Sequence, residues 1–144
     1  PSLCREKRNL MHNEKGYVYF QDFIKNDGYD IRVVVVGDRA FAIKRLCREN
    51  DFRASGSGRI LFDKKYFDEK VIRLSFDLSK KLKADLINFD FIIDADGNPH
   101  ICEMNYGFVK TIYDKCEGYW DSDLIWHEGS NFDFCGWMVE LLRK

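Results

Sequence analysis

Residues 86–105, Leu-Ile-Asn-Phe-Asp-Phe-Ile-Ile-Asp-Ala-Asp-Gly-Asn-Pro-His-Ile-Cys-Glu-Met-Asn, constrain the fold of this chain more than any other stretch. Two apolar runs flank Asp96-Gly97, a dipeptide that tolerates the positive φ angles of a tight turn, so residues 86–93 and 100–105 are expected to pair as an antiparallel hairpin. Side chains on a strand alternate between faces, which puts Asn88, Asp90 and Ile92 on one face and Glu103 and Asn105 on one face of the partner. Asp90 lies between Phe89 and Phe91, where an unpaired buried carboxylate would be costly, so a cation, a donor or an open cleft is expected beside it. Asp90, Glu103 and Asn105 would then present hard oxygen donors of the kind that suit magnesium. A surface hairpin with ordinary solvated acids satisfies the same spacing.

Composition narrows the class. The 144 residues carry 23 Lys and Arg against 24 Asp and Glu, a formal net charge of -1, so no global field draws the protein to nucleic acid or to an anionic membrane. The longest apolar runs, such as residues 33–36, are far too short to span a bilayer, and the first residues lack the pattern of a secretory signal. The five cysteines are odd in number, widely spaced and without a CxxC pair. They are expected to be reduced thiols of a cytoplasmic protein rather than a disulfide framework or zinc site. The chain starts on Pro1, and a piece of a longer protein is expected.

Residues 1–16 are polar and basic and form an irregular lead-in ahead of a single unit, 17–144. Residues 17–24 are rich in aromatic and branched side chains and predict a strand, followed by a turn at residues 25–28. A second strand pair follows, residues 29–36 and 39–46 about Gly37-Asp38, and its four consecutive valines predict a strand covered on both faces. Arg32, Lys44 and Arg45 would place positive charge at neighbouring strand ends; a solvated edge is the plainer reading of the same charges. Residues 51–59, Asp-Phe-Arg-Ala-Ser-Gly-Ser-Gly-Arg, allow close approach of the backbone to an anion, and serve equally as a flexible connector. Apolar residues Phe67, Val71, Leu74, Leu78 and Leu82 predict one amphipathic helix from Asp63 to Lys83, covering a sheet. Residues 109–131 read as irregular, rich in aromatics and acids, and residues 132–143 as a short closing helix.

Together these pieces resemble the C-terminal nucleotide-binding lobe of the ATP-grasp superfamily, and most resemble its branch of ribosomal-protein glutamate ligases. The resemblance runs from about residue 17 to 108 and rests on four blocks in order: Gln21-Asp22-Phe23-Ile24; Asp30-Ile31-Arg32 with Val36-Gly37-Asp38; Asp51-Phe52-Arg53; and Asp90 with Glu103-Met104-Asn105. The fold it implies is α+β, an antiparallel sheet covered by helices. It also implies that Gln21, Asp22, Phe23 and Ile24 seat adenine, and that Asp30 and Arg45 line the nucleotide cleft. Arg53, Arg32 and Lys44 would balance charge on the transferred phosphoryl group, and Asp90, Glu103 and Asn105 would hold Mg2+, with Mn2+ as a substitute. The chain departs from the family pattern in Tyr106-Gly107-Phe108, where small residues and proline are usual, and in Asp22, shorter than the usual Glu.

The activity implied is that of a carboxylate–amine (or thiol) ligase working through an acylphosphate, with small-molecule or peptide substrates, sugar-linked ones included. The lobe that carries the family's phosphate-binding lysines is not matched by any stretch here, so this chain is expected to be one lobe of a longer enzyme and inactive alone. Two alternatives remain at this point. One is a non-catalytic nucleotide- or glycan-binding domain that grips a sugar or peptide through residues 113–126. The other is a calcium module at Asp94-Ala95-Asp96-Gly97, against which the twelfth loop position is Asn105 rather than glutamate.

Overall fold

The four valines of Val33 to Val36 are at most 1% exposed, as a strand buried on both faces requires. In a computed structural model of the chain, which describes residues 18, 20, 22–51, 53–54 and 56–143, they belong to β1 (Tyr29–Val36), a central strand of a seven-stranded sheet. On one side β1 pairs antiparallel with β2 (Arg39–Leu46), on the other with β4 (Leu86–Ile93). The β1–β2 loop has two residues, and its first, Gly37, takes φ +61°, which a side chain disfavours. β5 (Pro99–Asn105) extends the sheet beyond β4 as an edge strand. The short β3 (Ile60–Leu61) pairs with the end of β2.

The α+β architecture expected from the sequence is the one observed, with differences in detail. The β4–β5 hairpin turns through residues 94–98, one residue shorter than expected because β5 begins at Pro99, and the Asp94 carboxylate accepts hydrogen bonds from the backbone N–H groups of Asp96 and Asn98. The covering helix α1 is Glu69–Leu82, shorter than expected. Asp63 does cap a helix, but it is a three-residue 3-10 turn at Lys64–Tyr66; the chain extends at Phe67 and restarts with Asp68 as the cap of α1. Two successive Asp caps divide what reads as one amphipathic repeat. Residues 22–24 are not in a strand, and Tyr17, Tyr19, Gln21 and the lead-in lie outside the described residues.

The segment 109–131 is not irregular throughout. It contains α2 (Lys110–Tyr113) and a hairpin of β6 (Gly118–Asp121) and β7 (Trp126–Glu128), and β6 pairs with the start of β2. The chain closes with α3 (Phe134–Leu141). Tyr113 and Trp120 are 1% exposed and belong to the core, so the aromatics of this segment are packed cover rather than a sugar platform.

The two faces of the sheet are covered differently. On one, Ile31, Val33, Val35, Phe89 and Phe91 pack beneath Val71, Ile72 and Phe76 of α1. On the other, only one end is apolar: Val34, Val36, Phe41 and Ile43 lie beneath Tyr113, Cys116 and Phe134. The Phe41 ring stands 5.2 Å from both Tyr113 and Phe134 and 5.3 Å from Phe132. The other end of this face carries the charged residues described below. Among the described residues no helix is long and apolar enough to cross a membrane. Because Phe41 joins β2 to the whole C-terminal cover, Phe41→Ala is expected to cost about 3–5 kcal/mol in urea unfolding. A loss under about 1 kcal/mol would show that the cover is held by something else.

Candidate functional site

Alternation along β1, β2 and β4 brings four charges together on the sheet face left open by the C-terminal cover. Asp30 lies opposite Arg45 across β1–β2, and Arg32 opposite Asp90 across β1–β4. Arg32 donates from Nε and Nη2 to the two oxygens of Asp90, the second at 2.6 Å. Arg45 donates from Nε and Nη2 to Asp30 at 2.7 Å, and reaches past β1 to donate to Asp90 Oδ2, also at 2.7 Å. Two guanidinium groups and two carboxylates thus form one neutral cluster spanning three strands, with Asp90 3% exposed. Fork-shaped pairing to both carboxylates lets so much charge sit in a core without an orphaned oxygen.

The electrostatics follow from the packing. Burial pushes the Asp30 carboxyl above its ordinary value, while Arg45 pulls the other way. Hydrogen bonding to Asp90 raises the pKa of Arg32 despite burial, so that guanidinium stays charged. Burial pushes the hydroxyl of Tyr113, at the end of α2, up to about 12 against the pull of the nearby Arg32 charge, and it remains neutral.

Beside this cluster opens a cleft of about 180 Å³, whose wall includes Tyr29, Asp30, Arg45, Arg53, Asp90 and Glu103. A second cavity of about 310 Å³ is lined by Asp22, Phe23 and Ile24 together with Ile101. The two share Asn26, Ile92 and Cys102 and therefore adjoin. The structure so brings together most of the residues singled out from the sequence: a hinge segment against one cavity, cations and acids in the next. Arg32 is not on the cleft wall and reaches it through Asp90. Arg53 is on the wall, with its guanidinium also donating to Asp51 at 2.7 Å. Gln21 lies outside the described residues.

Lys44 does not join the cluster. It pairs with Ile31, one position out of phase with Arg45, and so belongs to the opposite face, where its Nζ stands 3.5 Å from the centre of the Tyr29 ring. Period-two alternation alone separates Lys44 from Arg45.

Asp90 faces Glu103, and Asn88 faces Asn105, as the hairpin reading predicts. Between Asp90 and Phe91 the register slips by one residue, leaving Cys102 as the extra residue of a bulge and its thiol donating to the Asp90 carbonyl. Asn105 Nδ2 donates to Glu103 Oε1 at 3.1 Å. The donor set of Glu103, Asn105 and Asp90 fits a hard divalent cation in its chemistry. Among the described residues no three His, Cys, Asp or Glu side chains converge as a metal site, so a cation here would have to lean on the amide of Asn105 and on ligand oxygens. At the hairpin turn, Asp94 is engaged by backbone N–H groups and by His100 at 2.8 Å, which removes the basis for a calcium loop. Sequence reasoning missed Asn26, Cys102 and Tyr113. Only Asn26, followed by Asp27-Gly28, carries a local signal, that of a turn.

Residues 3–118 match the model of the RimK-like ATP-grasp domain. The chain belongs to that family. It is similar to beta-citrylglutamate synthase B of Mus musculus, 27% identical over 125 residues, and to the Homo sapiens protein of the same name, 26% identical over 125 residues. Each match takes in 78% of this chain and 31% of the relative, so the chain spans about a third of the length of the curated relatives it matches. The ion cluster, both cavities and the β4–β5 hairpin fall inside the RimK-like match, whereas most of the β6–β7 hairpin and all of α3 lie beyond it.

The cluster makes a stability test possible. Asp90→Ala leaves Arg32 without its buried carboxylate and Arg45 with one partner, and is expected to cost about 3–5 kcal/mol in denaturant unfolding. A loss below about 1 kcal/mol would show that the cluster is solvated and does not hold β1, β2 and β4 together.

Proposed function

We propose that this chain is the nucleotide-binding lobe of an ATP-dependent ligase that activates a carboxylate as an acylphosphate and passes the acyl group to an amine. The observation that carries the reading is the adjacency of the two cavities. The cavity lined by Asp22, Phe23 and Ile24 adjoins a cleft whose wall carries Arg45, Arg53, Asp90 and Glu103. That sequence of surfaces suits a planar base at one end and a polyphosphate at the other.

In the reaction, a carboxylate oxygen of the substrate attacks the terminal phosphorus and ADP leaves. The amine then attacks the acyl carbon, losing a proton, and phosphate departs. Phosphoryl transfer of this kind depends on positioning and on charge neutralisation rather than on covalent help from the protein. Arg53 and Arg45 hold the transferred group and the incoming carboxylate. Arg32 keeps the Asp90 carboxylate in place until phosphate oxygens compete for the Arg45 guanidinium. As that guanidinium shifts, Asp90 Oδ2, still held by Arg32, would have one lone pair open on the cleft side, next to Glu103. When bound there, Mg2+ would neutralise phosphate charge and hold the phosphates in line. The substrates are a small-molecule or peptide carboxylate and an amine, and the remaining nucleotide contacts come from a second lobe of the same polypeptide.

Backbone resonances of the chain should report this directly. On titration with Mg-ATP to millimolar concentration, shifts are expected at residues 22–26, 45, 53, 90 and 101–105. Glu103→Gln, an exposed substitution, should weaken that binding about tenfold while leaving the unfolding midpoint where it was. Spectra unchanged by Mg-ATP, or shifted equally in Glu103→Gln, would overturn the reading.

A further inference from the structure

Asn88 lies in the middle of β4, 0% exposed, on the sheet face it shares with Asp90. Its neighbour across β1 is Val34. A buried amide in such a place must be fully hydrogen-bonded or it destabilises the fold, and Asn88 is only half satisfied. Its Nδ2 donates to Asn105 Oδ1 at 2.8 Å and to Gly107 O at 3.0 Å, while its Oδ1 is buried with no partner. A branched aliphatic side chain would suit a strand position facing Val34 better on stability grounds alone.

Both N–H groups of Asn88 are directed to the end of β5. The backbone of that edge strand is held by its ladder with β4, but residues 100–104 are exposed, so few packing contacts fix their side chains. From Asn88 the hydrogen bonds run outward: Asn88 Nδ2 to Asn105 Oδ1, then Asn105 Nδ2 to Glu103 Oε1. The Gly107 N–H also donates to Asn105 Oδ1, at 3.1 Å, so the turn after β5 closes on the same amide. Without this anchor, Asn105 and Glu103 would sample several rotamers in water and lose side-chain entropy on binding.

We infer that Asn88 is a positioning residue: from within the core it fixes the Asn105 amide, and through it orients the Glu103 carboxylate, which stands on the wall of the cleft that takes the metal–nucleotide. The inference rests on the nucleotide reading above and adds to it a residue that touches neither metal nor nucleotide. It also accounts for a buried amide kept with one oxygen unpartnered. Supporting partners one step removed from a metal commonly change its affinity by about 10–100-fold.

The test is a double-mutant cycle on Mg-ATP binding, followed by resonance shifts, with the urea midpoint of every variant measured in parallel. Asn88→Leu is expected to leave the midpoint unchanged or raised, because the unpartnered oxygen is removed, and to weaken Mg-ATP about tenfold. In an Asn105→Ala background the same substitution should have no further effect on affinity, since its route to the cleft is already cut. A purely structural role would lower stability and affinity together, or give additive losses in the cycle, and either result overturns the inference. Unchanged affinity in Asn88→Leu overturns it while leaving the nucleotide reading intact. Failure of the unaltered chain to bind Mg-ATP removes both, and is told apart by the first titration.

Discussion

Two guanidinium groups and two carboxylates sit on a sheet face that a few residues further along is apolar at Val34, Val36, Phe41 and Ile43. Burying such a set is tolerable because each charge has an opposite partner at hydrogen-bond distance and the cluster as a whole is neutral. Arg45 serves both carboxylates and so ties β2 to β4 across the intervening β1. The cluster stands where the apolar cover ends, and its position decides where ligand chemistry is possible. Towards Val36 and Leu86 the face is sealed by Tyr113, Cys116 and Phe134; towards Asp30 it opens into the cleft.

The C-terminal segment matters to the site mainly as that seal. Phe41 meets Phe108, Tyr113, Phe132 and Phe134 in largely tilted or edge-on contacts, the geometry aromatic rings prefer when packed. Tyr113 belongs to this apolar cover by burial, and its hydroxyl feels the charge of Arg32 in the cluster. It therefore marks the boundary between core and cleft. Much of the seal, from Phe132 through α3, lies beyond the part of the chain that matches the RimK-like ATP-grasp model, while the charged cluster lies within it.

Much of this was legible in the residues. The β4–β5 hairpin, the β1–β2 pair and the facing of Asp90 and Glu103 follow from period-two alternation and from glycine-containing turns. The ordered blocks Asp30-Ile31-Arg32, Asp51-Phe52-Arg53 and Glu103-Met104-Asn105 carried the family resemblance. Less legible was anything that depended on which strand lies beside which. Asp90 was expected to need a cation or donor; that the donors are Arg32 on the adjacent β1 and Arg45 one strand further on β2 follows only from β4 pairing with β1. Residues 109–131 looked irregular because their strands are three and four residues long, too short for a periodicity to show. The helix expected from Asp63 to Lys83 was divided because a cap is a local backbone event that an apolar repeat passes over.

By itself the sequence determined the strands and turns of β1–β2 and β4–β5 and the side of each strand on which a residue falls, because these depend on neighbours within a few residues. It also determined that Lys44 and Arg45 must face opposite ways, a consequence of alternation. Only the tertiary structure decided that Asp30, Arg32, Arg45 and Asp90 form one cluster, that the hinge segment adjoins it, and that Asn88 holds the end of β5. Each of these is a contact between residues far apart in the chain, made possible by strand order and by the one-residue slip at Cys102. Neither property is encoded in any window short enough to read locally.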